Sequence, residues 1–205
     1  MPTLAEIRRL LADRPLCLLP TGSLRHAAVS LILRQGETGP EILFIERARH
    51  ESDPWSGDLG FPGGKVEADD GEPRLAAQRE TLEEIGLDLQ EALYLGRLDD
   101  IAGAHLPVAV SCFVYETDQH GPFTLSSEIA DVFWVPLQFL SDPDRHRMMT
   151  VNFRGERLER PAIDLRGPEA TVLWGITYRL ICQFLQILGI DVEITGERNQ
   201  HRIQG

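Results

Sequence analysis

Three carboxylates fall within five positions of RETLEEIGL, residues 79–87: Glu80, Glu83 and Glu84. On a helix turning by about 100° per residue they share one face, at spacings i, i+3 and i+4. Like charges so arranged repel by a few tenths of a kcal/mol. Gly86 marks the helix end, where the negative pole of the helix dipole opposes acids further. Arg79 offsets part of this charge by pairing with Glu83 at i+4, but one cation does not neutralise three acids. A divalent metal does. All-oxygen ligands without neighbouring His or Cys select a hard ion, Mg²⁺ or Mn²⁺. Such ions serve phosphate chemistry by bridging charged oxygens and activating water. The plain alternative is a solvated acidic face, and the repulsion weighs against it.

These side chains need a helix with one face seated on a core. Pro73 suits its first turn and Gly86 its stop, so the helix is predicted over 73–85. Leu75, Leu82 and Ile85 are expected to pack on a sheet, with Ala76 and Ala77 on the carboxylate side leaving room for a ligand. Upstream lies ESDPWSGDLGFPGGKVEADDGEP, residues 51–73, which is Gly/Pro-rich and non-periodic. A loop of that length in a compact domain is commonly functional. HAAVSLILR (26–34) and EILFIERA (41–48) read as strands around GETGP, with further strands over 92–97, 107–116 and 131–136. MTVNFRGERLE reads as a hairpin turning at Arg154-Gly155. Helices are expected over about 4–13 and 171–189, and 196–205 as a flexible polar tail. Strands outnumber dispersed helices, which predicts an α+β or α/β fold: a mixed sheet between helices, one domain over 1–205.

The chain has 205 residues and a net charge of −12. That charge repels nucleic-acid backbones and anionic membranes and leaves small anions as partners, held by local cations or metals. Cys17, Cys112 and Cys182 form no CxxC pair or zinc spacing and are expected as buried free thiols in a reducing cytoplasm. The first residues carry charges throughout and lack the apolar core of a signal peptide. TVLWGITYRLICQFLQILGI (171–190) is long enough for a bilayer, yet Arg179, Gln183 and Gln186 interrupt it. It reads as a buried helix, or as a homodimer surface, because apolar residues nearly encircle it.

RETLEEIGL resembles the second half of the Nudix hydrolase box, G-x5-E-x7-R-E-U-x-E-E-x-G-U with U aliphatic, and FPGGKVEADD (61–70) resembles the first. Thr81 stands where an aliphatic residue is usual. Asp70 falls on the first acidic position, and one extra residue separates it from Arg79. The resemblance implies a Nudix-type α/β/α sandwich and metal-dependent hydrolysis of a nucleoside diphosphate linked to another moiety. By the same resemblance Glu80, Glu83 and Glu84 bind the metal, the Gly64 backbone carbonyl joins them, and Arg79 orients a glutamate. SSEIADVFWVPL (126–137) resembles the later segment that supplies a general base. Glu128 is the candidate there, with Glu80 or Glu84 as alternatives.

Arg47-Ala48, Gly57 and FPGG (61–64) are also similar to the R-[SA]-x3-R-x3-G-x3-F-P-G-G signature of the coenzyme A pyrophosphatase branch, with Asp53 at its second arginine. LWGITYRL (173–180) resembles that branch's closing helix. Coenzyme A or an acyl-coenzyme A is the implied substrate. ADP-ribose or another nucleoside diphosphate is the enzymatic alternative, and a non-catalytic Nudix-like binding module the second. Arg47, Arg49, Trp55 and Lys65 are candidate substrate contacts. Against these stand plainer roles: Trp55 as a packing anchor, His50 as an exposed loop residue, Lys65 as solvation of the turn.

Overall fold

Strand β1 (Arg25–Gln35) sends Leu31 and Leu33 to one face of a sheet and Ala28 and Ile32 to the other; β2 (Pro40–Arg47) divides Ile42 and Phe44 from Leu43 and Ile45 in the same way. Strands that are apolar on both faces require cover on both. The computed structural model describes residues 1–12, 14–20, 24–49, 57–103, 107–153, 155–167 and 170–192, and it supplies that cover with helices. Helix α1 (Leu4–Ala12) comes first, and α2 (Pro73–Ile85) follows the short strands β3 (Leu59–Gly60) and β4 (Gly63–Lys65). Next come β5 (Leu93–Arg97), β6 (Ile101–Ala102), β7 (Val108–Glu116), β8 (Ile129–Pro136) and α3 (Leu137–Leu140). A hairpin of β9 (His146–Phe153) and β10 (Glu156–Ile163), then β11 (Leu173–Trp174) and α4 (Gly175–Ile187), complete the described elements.

The main sheet is mixed. Strands β1 and β7 pair in parallel, while β2, β4, β5, β6 and β8 join antiparallel. β1 and β2 pair only over residues 33–35 and 40–42; beyond that point the chain inserts β3 against β2 and β4 against β1. Helix α2 covers one face through Ala76, Ala77 and Ile85. Helices α1, α3 and α4 cover the other, with Ile7, Leu11, Leu137, Leu140, Tyr178, Ile181, Phe184 and Leu185 in one cluster. The expected mixed sheet between helices is what forms.

Four expectations change. Helix α2 buries Ala76, Ala77, Thr81, Glu84 and Ile85, whereas Leu75 and Leu82 are 44% and 47% exposed. Small side chains let the helix lie close on β1. Thr81 Oγ1 donates to the Ala77 carbonyl at 2.7 Å and lies 3.0 Å from Ser30 Oγ of β1, so its hydroxyl is satisfied where an aliphatic group is usual. The described part of 51–73 is not an irregular loop but holds β3, β4 and a 3₁₀ turn, Ala68–Asp70. The last helix starts at Gly175 rather than 171, because Trp174 is extended and Gly175 turns the chain at φ 68°, freeing Leu173–Trp174 to pair with β10. Cys17 is exposed, while Cys112 is buried, Cys182 is partly buried, and none of the three is in a disulfide. No helix among the described residues is long and apolar enough to cross a membrane. Arg154 and the 196–205 tail lie outside the described residues, but the pairing of Phe153 with Glu156 closes the expected hairpin.

Gly63 lies at the closest approach in the sheet. Its φ is 145°, and a Cβ there would lie 2.3 Å from the Ala28 carbonyl oxygen and 2.6 Å from Val29 Cα. Gly71 also has a positive φ, 73°, but nothing within 4 Å. In urea denaturation Gly71→Ala is therefore expected to lose about 1 kcal/mol from backbone strain alone. Gly63→Ala, which adds a collision with backbone, is expected to lose about 3 kcal/mol or more.

Candidate active site

The register of β4 on β1 decides which backbone groups meet α2. Ser30 N–H donates to the Pro62 carbonyl and Val66 N–H to the His26 carbonyl, both at 2.9 Å. By the alternation of an antiparallel ladder, Ala28 and Gly64 are then the hydrogen-bonded pair, and Gly63 and Lys65 turn their polar groups away from β1. Gly63 N–H donates to Glu84 Oε2 at 2.9 Å, and the Lys65 carbonyl accepts from Arg79 Nη2 at 3.2 Å. Gly64 leaves space for Glu80: a Cβ there would lie 2.5 to 2.7 Å from the Glu80 carboxylate.

Glu84 is 5% exposed. Burial pushes its carboxyl up to about 7, with Glu80 and Glu128 adding to the rise, against the Gly63 N–H and Arg47, whose Nη1 is 3.8 Å away. Burial also raises Glu80, opposed by Arg79 Nη1 at 2.9 Å. Glu83 stands further out, 3.2 Å from the same nitrogen. Arg79 is gripped in turn by both Asp70 oxygens, at 2.8 and 3.1 Å, which holds the Asp70 carboxyl below the usual range. A 3₁₀ turn before α2, Ala68–Asp70, sets the Asp70 carboxylate, which also accepts from Glu67 N–H at 2.7 Å.

The opposite wall comes from β2 and the segment before β8. Their ladder slips by one residue: Glu46 faces Asp131, but Arg47 faces Ile129. A bulge of this kind re-aims a side chain, here Arg47 toward the cleft. Ala48 N–H donates to the Glu128 carbonyl at 2.7 Å. The segment bearing Glu128 also caps α2, since Thr124 and Ser126 N–H groups donate to the Ile85 and Glu84 carbonyls at 3.0 and 2.9 Å.

An open cleft of about 540 Å³ gathers Arg47, Gly63, Gly64, Lys65, Glu67, Arg79, Glu80, Glu83, Glu84 and Glu128. It thus unites every sequence-predicted site residue except two. Arg49 is exposed and packs over Gly57, where a Cβ would lie 3.5 Å from its Nε. Trp55, like His50 and Asp53, lies outside the described residues. Sequence reasoning missed Gly63 as a donor and Glu67 as lining; the paired glycines of FPGG were the available signal. Among the described residues no three His, Cys, Asp or Glu side chains converge as a preformed metal cluster, because Arg79 holds Glu80 and Glu83 while Gly63 holds Glu84. The donor chemistry still fits a hard divalent ion: three carboxylates face one cleft without nitrogen or sulfur ligands, and the two most buried favour a neutralising partner.

Several known proteins are similar to this chain. A mitochondrial Nudix hydrolase 15 of Arabidopsis thaliana is 28% identical over 156 residues, 75% of this chain and 55% of its own length. A probable nudix hydrolase of Schizosaccharomyces pombe is 28% identical over 193 residues, covering 93% and 66%. An uncharacterized Nudix hydrolase NudL of Enterobacter is 27% identical over 169 residues, covering 81% and 84%. Against the Arabidopsis relative the chain spans about half the length. A solved structure of a MutT/nudix family protein from Enterococcus faecalis shares the fold at TM-score 0.52 and 17% identity, covering 92% of this chain and 75% of that one. Residues 24–153, well over half of the sequence, match the NUDIX domain family model, and the chain belongs to the Nudix family.

Proposed function

We propose that this protein hydrolyses the diphosphate bond of a nucleoside diphosphate derivative with the help of Mg²⁺ or Mn²⁺. The observation that carries this reading is the convergence of Glu80, Glu83 and Glu84 with Arg47, Lys65 and Arg79 on one open cleft. Glutamates outnumber cations on its lining by five to three, so cations accompanying a diphosphate favour its entry. Glu80, Glu83 and Glu84 would hold the ion; the Gly64 carbonyl expected to join them is turned to Ala28 by the β1–β4 register. Bound there, a divalent ion neutralises charge on the diphosphate and polarises its P–O bonds.

The chain's own groups divide the remaining work. Arg47, from the wall opposite α2, and Lys65, from β4 beside α2, attract phosphate oxygens. Arg79, braced by Asp70, keeps Glu80 and Glu83 in place. Glu128 takes the proton of the attacking water, with Glu80 or Glu84 as alternatives. The resemblance of residues 47–64 and 173–180 favours coenzyme A or an acyl-coenzyme A as substrate; ADP-ribose is the enzymatic alternative. A binding module without chemistry is disfavoured because all three helix acids are kept and face the cleft.

With Mn²⁺ or Mg²⁺ and a panel of coenzyme A, acyl-coenzyme A, ADP-ribose, NADH and nucleoside triphosphates, mass spectrometry is expected to show cleavage at a diphosphate. Phosphopantetheine and adenosine 3′,5′-bisphosphate would identify the coenzyme A activity. Glu84→Gln is expected to lower kcat/KM by about 100-fold or more; unchanged turnover would remove Glu84 from the site.

Glu84 also ties stability to pH. Its folded value near 7 lies above the unfolded 4.5, so as pH rises the unfolded chain loses this proton first. The stability it contributes is full below pH 4.5 and is lost by about pH 7, roughly 3 kcal/mol in all. In metal-free buffer Glu84→Gln is expected to gain stability over the native protein between pH 5 and 8, read as the urea midpoint. Added Mn²⁺ should narrow that gap, because the ion replaces the proton.

A further inference from the structure

Glu46 and Asp131 sit directly opposite each other in the β2–β8 ladder. Like charges in that position push the strands apart. The ladder slips immediately beyond them, and Arg47 and Glu128 lie on the far side of the slip. A bulge interrupts the pairing locally, so this wall of the cleft is held less firmly by its own hydrogen bonds than the α2 wall.

Two side chains from the C-terminal sheet reach this weak point. Arg166, in the turn after β10, donates from Nη1 to Glu46 Oε2 at 2.7 Å and from Nη2 to Asp131 Oδ2. Its guanidinium carbon lies 3.7 Å from the Phe133 ring centroid, which restricts the fork further. Asp164 sets the turn by accepting from Arg166 and Gly167 N–H groups at 3.0 and 2.6 Å. Trp174 of β11 donates from Nε1 to Asp58 Oδ1 at 3.2 Å, and the Asp58 carbonyl accepts the Arg47 N–H at 3.0 Å. Arg166 thus holds the side chain of the residue before Arg47, and Trp174 holds the residue whose carbonyl accepts the Arg47 N–H.

We propose that Arg166 and Trp174 are positioning residues, which hold the Arg47–Glu128 wall at its working distance from the carboxylates of α2. Both lie beyond residues 24–153, the segment matched to the family model. The proposal rests on the diphosphate hydrolase reading for its catalytic consequence, but not for its structural one. Arg166 cancels a repulsion that would open the strands beside the bulge; Trp174 ties the segment leading into β3 to the same sheet.

The test uses the full chain with Arg166→Leu, Trp174→Phe and Arg166→Leu/Asp131→Asn, reading amide hydrogen exchange by NMR beside steady-state kinetics. Arg166→Leu is expected to speed exchange at the Arg47 and Ala48 amides and lower kcat about tenfold. KM and the Mn²⁺-induced rise in melting temperature should stay near the native values. Trp174→Phe should act in the same direction through the Arg47 amide. Adding Asp131→Asn, which removes one of the two like charges, should restore much of the loss. Native exchange at both amides in the two single variants, or native kcat in both, overturns the proposal. A native protein that cleaves no diphosphate overturns the hydrolase reading instead, and exchange alone then decides whether these side chains hold the wall.

Discussion

The site depends on the hydrogen bond from Gly63 N–H to Glu84. A carboxylate almost withdrawn from water must be met by donors or it keeps its proton. The Gly63 amide is free to meet it only because β4 pairs with β1 in a register that turns residue 63 outward. That register in turn requires a residue without a Cβ, since any side chain at φ 145° would strike the backbone of Ala28 and Val29. It also requires α2 to lie close on the sheet, which Ala76, Ala77 and Thr81 permit. A helix bearing three acids thus becomes part of the core while Glu80, Glu83 and Glu84 still line the cleft.

Charge is distributed unequally between the two walls. On the α2 side Asp70 braces Arg79, and Arg79 spans Glu80 and Glu83, so the acids are held together by one cation rather than left to repel. On the other side Arg47 and Glu128 stand at a strand slip, with Arg166 bonded to the Glu46 and Asp131 carboxylates beside it. The hydrolysis proposed for this cleft needs both walls at fixed separation, because the groups assigned to the phosphate and to the ion come from different elements.

Much of the fold was legible because it rests on local periodicity. The strands of the main sheet alternate in polarity or run apolar, and Pro73 and Gly86 bound α2 by their backbone chemistry alone. The strands β3 and β4, of two and three residues, were not legible: so short a run has no period to detect. The faces of α2 were misjudged because bulk was taken as the mark of burial. Leu75 and Leu82 remain outside since the sheet selects small side chains at that contact. The end of the chain deceived similarly, as an unbroken apolar run conceals the point where a strand becomes a helix.

By itself the sequence determined which groups are on offer: three acids at helical spacing beside one arginine, following a paired-glycine turn, the set on which the proposed chemistry rests. Only the tertiary structure decided which backbone amide meets Glu84, how Asp70 reaches Arg79 despite an added residue, and which distant side chains meet beside the facing wall. Arg166 and Glu46 are 120 positions apart, and Trp174 and Asp58 are 116. No local pattern encodes such pairings. They exist because a packed sheet brings distant strand ends to the same edge, where burial makes each unpaired charge or donor seek a partner.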